Sequence, residues 1–137
     1  TYQFEIGKGI TLKEGNDVTL VCTGFETGQA LQAAEELEKD NIHAWVIHIH
    51  TIKPIDQEIL VKAAKETGLI ITCEEHSIYG GLGSAVSEVV SEQYPCKVVK
   101  VGIQDTFGES GKPMELIEKY GLSAQHIVTV VKEQLSK

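Results

Sequence analysis

LIITCEEHSIYGGLGSAVSEVVSE, residues 69–92, is the stretch that decides the fold. Its apolar start, residues 69–73, is typical of a strand buried on both faces. A glycine-rich turn at residues 80–84 then opens a helix with apolar residues at helical spacing: Leu82, Val86, Val89 and Val90. This order forms half of a βαβ unit, and sites of open α/β sheets lie outside the carboxyl ends of the strands. We therefore expect the functional edge of the chain around Glu74, Glu75 and His76 and the glycines that follow.

The rest of the chain alternates between strand and helix patterns. Strands are predicted at 10–13, 18–23, 44–49 and 97–103. Helices are predicted at 27–39 with Thr27 as N-cap, at 57–66 between the N-cap Asp56 and the stop Gly68, at 114–120, and after the N-cap Ser123. The turn at Gly15 and Asn16 predicts that the first two strands are antiparallel neighbours, or at least that the chain reverses sharply between them. The alternation predicts an α/β fold with a mainly parallel sheet covered by helices on both faces.

Composition narrows the class of protein. The 137 residues are 42% hydrophobic, enough for one domain with its own core. A net charge of -8 and the absence of arginine disfavour nucleic acid as a partner and leave no guanidinium to clamp a phosphate. No apolar run approaches the ~20 residues of a membrane span. The three cysteines have no CxxC spacing, and Cys22 and Cys73 lie in strand-like apolar runs, which predicts buried thiols in a reducing, cytoplasmic compartment. The start at Thr1, without methionine, predicts a processed chain or a piece of a longer one.

The candidate sites are incomplete as sequence motifs. The glycine turn matches neither common phosphate-binding pattern, which leaves a packing turn, an anion site and a contact surface open. Glu74 and His76 share one side of the strand, as do His48 and His50, but two ligands do not make a metal site. We expect Glu74 and its neighbours to form a hydrogen-bonding corner that fixes the turn or meets a neighbour. The residues alone predict no catalytic, cofactor-binding or metal site.

Three motifs give the chain a family resemblance: TIKPID at 51–56, EEH with GGLGSAV at 74–86, and GESGKP at 108–113. Their order and spacing resemble those of the C-terminal domain of transketolases. The resemblance implies a three-layer α/β/α fold with a five-stranded mixed, mostly parallel sheet and one antiparallel strand. Whole transketolases transfer a two-carbon ketol unit between sugar phosphates with thiamine diphosphate and Mg²⁺ or Ca²⁺. In that family other domains bind the cofactor, so the resemblance implies a structural rather than a catalytic role here.

We therefore expect residues 1–137 to form a single transketolase C-terminal-type domain, with 1–8 as the approach segment and the cofactor-binding domains outside this chain. Its expected partners are the remaining domains or a separate subunit of a homodimeric enzyme, with neither nucleic acid nor membrane involved. The expected interface consists of Glu74, Glu75, His76, Gly80, Gly81 and Gly83. The alternatives are the C-terminal domain of 1-deoxyxylulose-5-phosphate synthase or of a 2-oxoacid dehydrogenase beta subunit, and a free-standing anion- or protein-binding module.

Overall fold

A computed structural model describes residues 8–24, 26–50, 52, 54–74, 81–102 and 124–137. Five strands occupy Ile10–Lys13 (β1), Val18–Cys22 (β2), Ala44–His48 (β3), Leu69–Glu74 (β4) and Lys97–Gly102 (β5). Four helices occupy Glu26–Lys39 (α1), Gln57–Thr67 (α2), Leu82–Gln93 (α3) and Ala124–Leu135 (α4). The predicted loop at 105–113, the helix at 114–120 and the cap at 123 lie outside the described residues.

The five described strands form one mixed sheet in the order β1-β3-β2-β4-β5. The pairs β2–β3, β2–β4 and β4–β5 are parallel, and β1 runs antiparallel to β3. Helices α1 and α4 cover one face of the sheet, and α2 and α3 cover the other. This arrangement confirms the three-layer α/β/α fold with one antiparallel strand.

One predicted pairing is wrong, because β1 lies beside β3 and not beside β2. The connection between β1 and β2 crosses the amino end of β3, where the Asp17 N–H donates to the His43 carbonyl at 2.9 Å. The His43 N–H in turn donates to Asp17 Oδ2 at 2.7 Å. A Cβ on Gly15 would lie 2.5 Å from the Ala44 carbonyl carbon, so only a glycine lets the backbone pass. The turn reverses the chain as predicted but carries it past the next strand.

The helix boundaries show which capping predictions succeed. Asp56 caps α2 by accepting the Ile59 N–H at 3.3 Å, and Gly68 ends α2 with φ of 70°, both as predicted. The Thr27 prediction is wrong, because α1 begins at Glu26 and places Thr27 inside its first turn. Among the described helices, none is both long and apolar enough to cross a bilayer.

Candidate functional site

Glu74 is the polar residue around which the candidate site is built. It is the last residue of β4, at the carboxyl end of the sheet, and only 3% of it is exposed. Side chains alternate along a strand. Its neighbour Cys73 packs in the core beneath α1 and α4, so Glu74 points to the opposite face, where α3 begins. A buried carboxylate is tolerated only where hydrogen bonds replace its lost water.

Those hydrogen bonds come from the first turn of α3. The Leu82 N–H donates to Glu74 Oε1 at 2.9 Å, and the Gly83 N–H donates to Oε2, also at 2.9 Å. The N-cap residue itself, Gly81, has no side chain to supply such a bond. The first four N–H groups of a helix lack partners inside the helix, and its amino end carries partial positive charge. Glu74 therefore caps α3 from eight residues upstream, which confirms the predicted hydrogen-bonding corner at this residue.

The two described glycines of the turn, Gly81 and Gly83, are required because α3 approaches the sheet very closely at its amino end. A Cβ on Gly81 would lie 2.3 Å from Glu74 Oε1. A Cβ on Gly83 would lie 2.6 Å from Lys100 Cγ and 2.9 Å from Thr72 Oγ1. Larger residues would push the amino end of α3 away from β4 and β5. The turn thus serves close packing of helix on sheet.

The same geometry limits what the turn can bind. A helix amino end attracts anions through its unpaired N–H groups and its dipole. Here a carboxylate of the protein already occupies two of those N–H groups, and it would repel an incoming phosphate. The described part of the glycine turn is therefore closed to an external anion at Leu82 and Gly83.

The remaining predicted residues fall in different places. Glu75, His76 and Gly80 lie outside the described residues. His48 and His50 do come together at the end of β3, with ring centroids 4.3 Å apart. Burial, and to a lesser degree His50, lowers the pKa of His48, which favours its neutral form. Among the residues that the structure describes, no third histidine, cysteine or carboxylate joins them as a metal cluster.

Two of the cysteines lie opposite each other on neighbouring strands of the sheet as free thiols. Cys22 on β2 lies in register with Cys73 on β4, and both are fully buried. Burial raises the pKa of the Cys22 thiol to about 11 and raises that of Cys73 well above its ordinary value. Both thiols are therefore protonated near neutral pH and poor nucleophiles, as expected of structural cysteines.

Sequence reasoning missed a groove beside the glycine turn. It measures about 460 Å³ and runs between α3 and the segment that connects β3 to α2. Ile52, Pro54 and Ile55 form one wall, and α3 supplies the other through residues including Ala85, Glu88, Val89 and Glu92. Two of the three sequence motifs thus meet on one concave surface. Their shared location at the carboxyl edge of the sheet is the signal that could have indicated it.

Comparison with known proteins identifies the family. Residues 7–127 match the family model described as "Transketolase, C-terminal domain". The chain belongs to the transketolase C-terminal domain family. This confirms the resemblance seen in the three sequence motifs.

Relatives of known name include subunits of divided enzymes. The chain is 44% identical over 131 residues to the 6-deoxy-6-sulfo-D-fructose transketolase subunit SqwH of Clostridium sp. (strain MSTE9), covering 96% of this chain and 41% of that protein. It is 42% identical to the 1-deoxy-D-xylulose-5-phosphate synthase of Heliobacterium modesticaldum, covering 93% of this chain and 20% of that enzyme. A solved structure titled "Split gene transketolase, inactive beta4 tetramer" is similar with a TM-score of 0.93 and 53% identity, covering 98% of this chain and 44% of that one.

The chain thus spans 41% and 20% of the lengths of the two curated relatives named here. As a transketolase C-terminal domain it has the expected sheet and helices, and its glycine turn is held by its own carboxylate. The structure assigns Glu74, Gly81 and Gly83 to one packed corner of this domain. Whether that corner contacts another domain stays a prediction.

Proposed function

We propose that the chain serves as the C-terminal domain of a transketolase, an enzyme that transfers a two-carbon ketol unit between sugar phosphates. The observation that carries the proposal is the family match over residues 7–127, together with the 53% identity to a split-gene transketolase chain. A relative named as a transketolase subunit adds support. In this proposal residues 1–137 form one domain, and the rest of the cytoplasmic enzyme lies in further domains or in a separate subunit.

The cofactors that the family implies are thiamine diphosphate and a divalent metal ion, and the described residues do not fit them. A diphosphate needs free N–H groups or basic side chains. The amino end of α3 is filled by Glu74, the whole chain has no arginine, and the lysine beside this turn, Lys100, donates to Ser84 Oγ at 3.4 Å. No group of three metal ligands occurs within the described part of the chain. We therefore propose that other domains bind both groups, and that this chain takes no chemical step itself.

The proposed role of this domain is to present an interface. Both oxygens of the Glu74 carboxylate accept hydrogen bonds from within the domain, so the role of Glu74 in the interface is to fix the start of α3. It thereby sets where the chain leaves β4 and where it returns at Gly81. The residues between these anchors include Glu75, His76 and Gly80, which we propose to face the remaining domains of a homodimeric enzyme. Gly81 and Gly83 keep the surface close to the sheet.

A coupled activity assay tests the proposal. The 137-residue chain is assayed alone, and then the complete gene product that contains it, with any complementary subunit, is assayed with thiamine diphosphate, Mg²⁺, a ketose phosphate donor and an aldose phosphate acceptor. We expect ketol transfer only from the complete enzyme. Transfer by the 137-residue chain alone would contradict the assignment of catalysis to other domains. A complete, folded enzyme without transfer on any donor would contradict the proposed activity.

The second candidate is a domain of a 1-deoxyxylulose-5-phosphate synthase. The specific observation in its favour is the 42% identity to such an enzyme, little below the 44% to the transketolase subunit. Formation of 1-deoxy-D-xylulose 5-phosphate by the complete enzyme, without exchange between ketose and aldose phosphates, would favour this candidate over the first.

A further inference from the structure

We draw no further inference here: the strongest candidate, the groove between α3 and the wall of Ile52, Pro54 and Ile55, carries none because nothing in the part of the chain that the structure describes shows what covers it.

Discussion

Replacing Glu74 with glutamine isolates the interaction that holds the candidate site together. The substitution keeps the size and shape of the side chain but exchanges one carboxylate oxygen for an N–H₂ group. Both Glu74 oxygens accept backbone N–H groups at 2.9 Å, so one of those donors would face another donor. The negative charge at the amino end of α3 is lost as well.

The size of the effect follows from these two losses. A hydrogen bond to a charged group contributes about 1.5–3 kcal/mol. The favourable placement of a carboxylate at a helix amino end adds about 0.3–1 kcal/mol, and up to ~2 kcal/mol where it is partly buried. Because Glu74 is 3% exposed, water cannot replace the lost acceptor. We expect Glu74→Gln to lower the free energy of unfolding by about 3 kcal/mol, a large part of the roughly 5–15 kcal/mol typical of a domain.

Urea denaturation followed by circular dichroism measures this change. With a slope of about 2 kcal/mol per molar urea, the unfolding midpoint should fall by roughly 1.5 M. Glu88→Gln is the matched control, because it removes the same charge from an exposed position on the same helix. It should change the free energy by less than about 0.5 kcal/mol.

The reasoning fails if the two variants have the same stability. It also fails if Glu74→Gln unfolds within about 0.5 kcal/mol of the unsubstituted chain. Either result would mean that the two hydrogen bonds contribute little, and that the glycine turn keeps its shape by other means.

Four further substitutions test other parts of the fold. Gly81→Ala should lower the free energy of unfolding by about 2 kcal/mol, because its Cβ would lie 2.3 Å from a Glu74 oxygen. Gly28→Ala should raise it by about 0.5–1 kcal/mol, because a Cβ at this position in α1 meets open space. A urea titration that gives both variants the same stability would contradict the packing argument. Asp56→Ala should lower the free energy of unfolding by about 2–3 kcal/mol in the same measurement, because one carboxylate accepts two backbone N–H groups. A loss under about 0.5 kcal/mol would show that water replaces these hydrogen bonds. Burial raises the pKa of Cys22 from 9.0 to about 11 and that of Cys73 well above its ordinary value, so the unfolded state loses these protons first and stability should fall as the pH rises from 9 to 11. Cys22→Ala should remove about 1.4 kcal/mol per pH unit of that slope and leave the part that Cys73 contributes.

Much of the fold could be predicted because its signals are local. The apolar strands, the Asp56 cap and the Gly68 stop each depend on a few adjacent residues, and all three agree with the structure. The neighbour of β1 could not be predicted in this way. A turn fixes a reversal of direction, but the choice of partner strand depends on Gly15 fitting against the backbone of Ala44, a contact between residues far apart in sequence.

The candidate site shows the same division. Sequence alone placed Glu74 at the carboxyl end of a strand and glycines at the start of a helix, because both follow from periodicity. It could not show that the carboxylate turns back to cap α3, since this depends on the side-chain rotamer and on the distance between β4 and the helix. The groove beside the glycine turn was hidden for a related reason, because its walls come from motifs about thirty residues apart.

A glycine turn at the start of a helix is an ambiguous signal, and the charge upstream of it resolves the ambiguity. Where the N–H groups of the first turn are free, they attract a phosphate or carboxylate from outside. Where a buried acidic residue of the preceding strand reaches them, the same backbone becomes a packing element. In this chain the acid is Glu74, and both of its oxygens are used. An acidic residue at the end of a strand, followed by a glycine turn into a helix, therefore favours an internal cap over a nucleotide site. Glu74→Gln tests this interpretation, because it should lower the free energy of unfolding if the carboxylate caps α3.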